Sequence, residues 1–119
     1  MNKRAIGSNY ETLASEYLTR QGLNFIDKNV SSRFGEIDLI MKDKDTIVFV
    51  EVKYRTSQNF GHAAEMVTYQ KSQKLIKTAT VWLKTHRYDI NNTSFRFDII
   101  AIHQYGNDIN WIKNAITQG

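Results

Sequence analysis

Cysteine and proline are both missing from this 119-residue chain, and each absence narrows what it can be. Without cysteine there is neither a disulfide framework nor a zinc-thiolate site, so stability must come from packing and any metal must be held by oxygen or nitrogen. A reducing, cytoplasmic setting is expected. Without proline, repeats or low-complexity stretches, nothing punctuates the chain as a linker, and residues 1–119 are expected to form one domain. No apolar run approaches the roughly 18 residues that cross a bilayer. Met1-Asn2-Lys3-Arg4 leads into polar residues rather than a signal-peptide core, so no membrane partner is expected. His62, His86 and His103 are too widely spaced for a ligand pattern.

What is present is an ordinary globular composition, 41% hydrophobic, with a net charge of +4 that is unevenly spread. Residues 1–35 carry five basic against three acidic side chains, and residues 54–88 carry six against one. Residues 36–53 reverse the balance, with five acidic against three basic. A basic surround with an acidic centre suits an enzyme that attracts a polyanion and holds a cation, although charge alone also fits simple solubility.

Apolar residues at Tyr10, Leu13, Ala14, Tyr17 and Leu18 recur at helical spacing up to Gly22. Ser8 and Glu11 match a capping box, predicting a helix over residues 9–21. Leu23–Asn29 reads as a short strand, and Glu36–Lys42 with Thr46–Tyr54 as a hairpin closed by Asp43, Lys44 and Asp45. Residues 55–64, with Phe60-Gly61, read as a loop. Thr68 is a plausible N-cap for a second helix whose stripe is Leu75, Ile76, Ala79, Trp82 and Leu83, its lysines facing solvent. After an Asn91-Asn92 turn, Phe95–His103 reads as a strand, and Tyr105–Asp108 as a turn into a last strand near Ile109–Lys113.

The hairpin carries the chemistry. Strand side chains alternate, so Glu36, Asp38 and Ile40 should share one face, as should Phe49, Glu51 and Lys53. A turn centred between Lys44 and Asp45 sets Asp38 opposite Glu51 and Glu36 opposite Lys53. Their apolar neighbours indicate strands covered on both sides. Two acids brought together there repel, and a divalent cation between them, Mg²⁺ or Mn²⁺ for an all-oxygen set, relieves the repulsion. Lys53 beside it could orient or help deprotonate water, or stabilise charge on a phosphate. The competing account is an outward-facing hairpin with Lys53 paired to Glu36.

At these residues the chain resembles a known group. Asp38 followed by Glu51-Val52-Lys53 after a hairpin looks like the PD-(D/E)xK nuclease signature, with Ile37 where the signature has proline. The wider pattern resembles the bacterial YraN family, through Gly7, Glu11, Asn29, Arg33, Gly35–Ile40, Phe49–Arg55, Phe60-Gly61, Lys71 and Arg96-Phe97-Asp98. The resemblance implies an α/β, restriction-endonuclease-like three-layer core, a mixed sheet of about five strands with helices on both faces, akin to archaeal Holliday-junction resolvases. It further implies a metal-dependent DNA endonuclease, with branched DNA among the substrates to consider, in which Glu11 joins Asp38, Glu51 and Lys53. Junction cutting would also imply a homodimer.

Other roles remain open at this point. Glu11 is either a ligand or the acid of the capping box, and Glu36 either supports the ligands from behind or pairs with Lys53. Arg33 and Arg55 bracket the hairpin at the site end and are the preferred backbone contacts, with Lys71 and Lys74 as further phosphate contacts or a solvated helix face. Arg96 and Asp98 are expected to pair locally, and Trp111 to be exposed or at an interface. A module of the same fold that binds nucleic acid without cutting it is the alternative function.

Overall fold

A computed structural model describes residues 3–55, 68–103 and 108–116, apart from the side chains of residues 3–8 and 55. The order of elements is α1 (Lys3–Arg20), β1 (Asn24–Ser32), β2 (Gly35–Asp43), β3 (Thr46–Arg55), α2 (Tyr69–Thr85), β4 (Phe95–His103) and β5 (Asp108–Ile112). The predicted 55–64 loop lies almost wholly outside the described residues, as does most of the 105–108 turn.

The five strands form one sheet in the order β1-β2-β3-β4-β5. β1, β2 and β3 run antiparallel in sequence, β3 and β4 are parallel, and β5 returns antiparallel to β4. A parallel pair needs a crossover, and α2 lies within it. On one face Leu75, Ala79, Trp82 and Leu83 of α2 pack on Ile37, Ile40, Ile47, Phe49 and Phe97. On the other, Ala14 and Leu18 of α1 pack on Leu39, Met41, Val48, Val50, Ile100 and Ile102. The result is the expected α/β fold, a mixed five-stranded sheet between two helices in the restriction-endonuclease-like arrangement. Phe97 to His103 are buried without interruption, which suits a strand covered on both faces.

Helix ends follow local chemistry. α1 stops where Gly22 takes φ 101°, its amide bonding to Thr19 O and that of Leu23 to Leu18 O, the paired bonds of a Schellman cap. α2 starts as predicted at Thr68, whose hydroxyl accepts from the Lys71 amide at 3.1 Å.

The beginning of α1 departs from expectation. The helix starts at Lys3, so Ser8 lies inside it and the Ser8/Glu11 capping box does not form. Lys3, Arg4 and Ala5 are good helix formers, and one glycine at position 7 costs only about 1 kcal/mol in a run this long. Glu11 is thereby left without a capping role.

Candidate active site

The turn between β2 and β3 has the predicted register. Leu39 pairs with Val50, Ile40 with Phe49, and Asp43 with Thr46. The ladder then ends one step short of Asp38 and Glu51. There Asp38 Oδ2 accepts the backbone N–H of Val52 at 2.8 Å, a side chain reaching across where the strands part.

The same position breaks the alternation of β2. Leu39 and Met41 face α1, yet Ile37 packs in the α2-side core together with Ile40. A regular strand would put Ile37 with Leu39, so β2 rolls over at Asp38. On β1 the neighbouring irregularity is Asn29, in the left-handed region at φ 52°, which asparagine tolerates better than most residues. Glu36 and Ile40 both lie on the α2 side as expected, and Ile37 joins them there, so the strand is irregular at Asp38 rather than flat.

Glu51 and Lys53 do share a face, the one toward α2. Glu51 Oε1 accepts two ammonium groups, Lys53 Nζ at 3.3 Å and Lys71 Nζ at 3.0 Å. The Glu51 side chain is 9% exposed, so the shared carboxylate is nearly dry while its lysine partners keep contact with solvent. Burial, and the neighbouring Lys71, push the Lys53 ammonium below its usual range, against the pull of Glu51. A shift in that direction favours the neutral amine, the form of lysine that can accept a proton.

Asp38 bears the strain of the arrangement. Burial first, and the Glu51 charge second, push its carboxyl up to about 7, while the Val52 N–H and Lys53 act the other way. Glu11 contributes as well. Its own carboxyl is raised by burial and by Glu36 and Glu51, and eased by a hydrogen bond from the Asn29 side chain and by Lys28. α1 is set against this end of the sheet by Tyr10, which stacks on Tyr54 of β3 at 3.9 Å.

The structure thus brings Asp38, Glu51, Lys53 and Lys71 together, with Glu11 close enough for its charge to be felt. It does not pair Lys53 with Glu36, which is exposed beside the α2 cleft. Lys74 lines that cleft, about 310 Å³ in volume, with Gly35, Glu36, Thr68, Gln70 and Lys71. Arg33 occupies the two-residue turn between β1 and β2, its guanidinium 4.8 Å from the centre of the Phe34 ring. The Arg55 side chain lies outside the described residues.

The donor chemistry suits a hard divalent ion: three carboxylates and no sulfur, with one acid whose ionisation is opposed by its neighbour. Among the described residues, however, no three acidic or imidazole side chains stand ready as a metal cage. Part of the reason is visible in the two lysines already on Glu51.

Two contributors escaped the sequence reading. Asn29 had been noted only as a matching position, and its helix-facing hydrogen bond depends on a positive φ that no local pattern announces. Helical spacing allows Lys71 as a phosphate contact or a solvated lysine and cannot show which strand the first turn of α2 crosses. Arg96 and Asp98 pair locally as expected, Arg96 Nε lying 3.1 Å and 3.2 Å from the two Asp98 oxygens. Trp111 is half-buried: it packs toward α1 and its Nε1 donates to Asp98 at 2.9 Å.

Comparison with known proteins settles the lineage. Residues 10–102 match the model of "Uncharacterised protein family UPF0102". The chain belongs to this family, the YraN family to which the motif pointed. UPF0102 protein VV0603 of Vibrio vulnificus is 61% identical over 118 residues, covering 99% of this chain and 97% of that one. UPF0102 protein VP0448 of Vibrio parahaemolyticus matches at 61% with the same coverage. A Vibrio cholerae UPF0102 protein is 52% identical over 119 residues, covering 100% of this chain and 98% of its own. Among the described residues no UPF0102 helix here is long and apolar enough to cross a membrane.

Proposed function

We propose that this UPF0102 protein is a metal-dependent phosphodiesterase acting on DNA, with branched or otherwise structured DNA as the substrate class to test first. One observation carries the reading: a half-buried acid, Asp38, is held near Glu51 at the point where β2 rolls over, with Lys53 paired to Glu51. Packing for stability alone does not call for such a grouping, since buried like charges oppose folding.

Asp38 and Glu51, with Glu11, would hold Mg²⁺ or Mn²⁺, which when bound supplies charge stabilisation at the phosphate and a more acidic water. Lys53 is placed to orient that water or take its proton, and to meet charge developing on the phosphate. Lys71 and Lys74, on the cleft side, with Arg33, in the turn between β1 and β2, and Arg55, at the end of β3, would contact the phosphate backbone, which fixes position rather than sequence. Two copies acting together would suit a symmetric junction.

The test is incubation of purified protein with junction, flap, single-stranded and duplex DNA under Mg²⁺ and Mn²⁺. Cleavage abolished by Asp38→Ala and by Glu51→Ala is the expected outcome. Cleavage indifferent to both substitutions would remove the mechanism. Salt-dependent binding with no turnover under any metal would instead support a non-cutting DNA-binding module, a reading favoured by the ammonium groups already on Glu51.

A further inference from the structure

We propose that Lys71 is an internal counter-ion for Glu51 that couples cation binding at the carboxylates to phosphate binding in the adjoining cleft. The inference rests on the nuclease reading and goes beyond it by giving one lysine a part in the order of binding.

The geometry is a shared acceptor. Lys53 and Lys71 both lie on Glu51 Oε1, at 3.3 Å and 3.0 Å, and they arrive from different elements, β3 and α2. One ammonium suffices to neutralise Glu51, and the second also answers the charge of the neighbouring acid Asp38. The Lys53 side chain is 19% exposed and Lys71 twice that, at 38%, so Lys71 is the one with room to leave. Its alternative location is at hand, because Lys71 also lines the cleft formed with Gly35, Glu36, Thr68, Gln70 and Lys74.

Charge balance supplies the coupling. When the three acids are ionised, Glu11, Asp38 and Glu51 bring three negative charges, and Lys53 and Lys71 two positive ones. A doubly charged cation added to this group leaves a surplus of one, which opposes its binding. Removing Lys71 from Glu51 reduces that opposition, and an anionic phosphate in the cleft gives the released ammonium a new partner. Linkage then requires each ligand to strengthen the other by the same factor. Lys71 acts here as a positioning residue for Glu51. Lys74 lines the same cleft, with no ion pair to a carboxylate among the described residues, and so separates general positive charge from the specific contact.

Calorimetry with Mn²⁺ alone, and again with a phosphorothioate-linked oligodeoxynucleotide that resists hydrolysis, tests the idea on wild type, Lys71→Met, Lys71→Arg and Lys74→Met. Without oligonucleotide, Lys71→Met should bind Mn²⁺ about tenfold more tightly than wild type, with Lys71→Arg and Lys74→Met within about twofold of it. The oligonucleotide should strengthen Mn²⁺ binding to wild type, and do so much less for Lys71→Met. Equal or weaker binding by Lys71→Met than by wild type, in protein whose circular dichroism is native, overturns the role of Lys71 and leaves the nuclease reading standing. Absence of Mn²⁺ binding by every protein, with or without oligonucleotide, overturns both.

Discussion

Asp38 and Asp98 are acids on inner strands of one sheet, the first half-buried and the second fully buried, and their surroundings differ in kind. Asp98, its side chain fully buried, meets Arg96 Nε at both oxygens, Trp111 Nε1 at 2.9 Å and the Asn114 amide at 2.8 Å. Arg96 reaches on to Asp43 at 3.1 Å, so β2, β4, β5 and the turn after β5 are joined through the chain Asp43–Arg96–Asp98. Asp38 takes the Val52 amide and faces another acid, which with burial pushes it up to about 7. A carboxylate supplied with donors holds structure together; one left short of them is a demand for a ligand.

The largest effect should come from the supplied acid. Asp98→Ala leaves the Arg96 charge, the Trp111 N–H and the Asn114 amide without their acceptor, and should destabilise the fold by roughly 3–5 kcal/mol. Urea denaturation measures it. A smaller loss for Asp98→Ala than for Asp38→Ala would break the contrast between the two acids.

Next comes the ligand itself. Mn²⁺ at a hundredfold excess over its dissociation constant should stabilise wild type by about 2.7 kcal/mol and leave Asp38→Asn nearly unchanged. Thermal unfolding with and without the metal gives the answer. An equal rise in both proteins would move the cation away from Asp38.

Removing the charge from Asp38 should help the metal-free protein. Its folded pKa, about 7, lies above the value of 3.8 it starts from, so the native state prefers the protonated acid. Stability from this group is therefore full below about pH 4 and is lost as pH rises through about 7. Asp38→Asn keeps an oxygen for the Val52 amide and removes the charge, so it should be more stable than wild type by about 2 kcal/mol above pH 7. The gap should close toward pH 4. A gap independent of pH, in a series of melting curves from pH 4 to 8, would count against the account given of Asp38.

How much of this could be read from the residues follows the same division. The β2–β3 register was legible because the turn at Lys44-Asp45 and the apolar runs beside it are local, and it holds from Asp43/Thr46 to Leu39/Val50. The rollover at Asp38 was not, since it depends on β1, through Asn29, and on which helix Ile37 meets. Local patterning likewise offered Ser8 as a helix start, and the helix-forming residues before it overrode that signal. The acids and Lys53 were identifiable by type and spacing. Their partners were not: Glu36 was the cross-strand candidate for Lys53, whereas the observed partner, Glu51, lies two residues away on the same strand.

The smallest effect concerns the N-terminus of α2, where stability and the site meet. The Thr68 hydroxyl accepts the Lys71 amide, so the residue that caps the helix also fixes the backbone from which Lys71 reaches Glu51. Thr68→Ala should cost about 1 kcal/mol through the lost cap, and Thr68→Ser, which keeps an acceptor, only a few tenths. Among the described residues Asp98 shares no hydrogen-bond or ion-pair partner with Thr68 or Lys71, so Thr68→Ala and Asp98→Ala should add without coupling. Thr68→Ala and Lys71→Met share one turn and should not. A double-mutant cycle in urea that found Thr68 coupled to Asp98 as strongly as to Lys71 would show that the two acids do not belong to separate regions of the molecule.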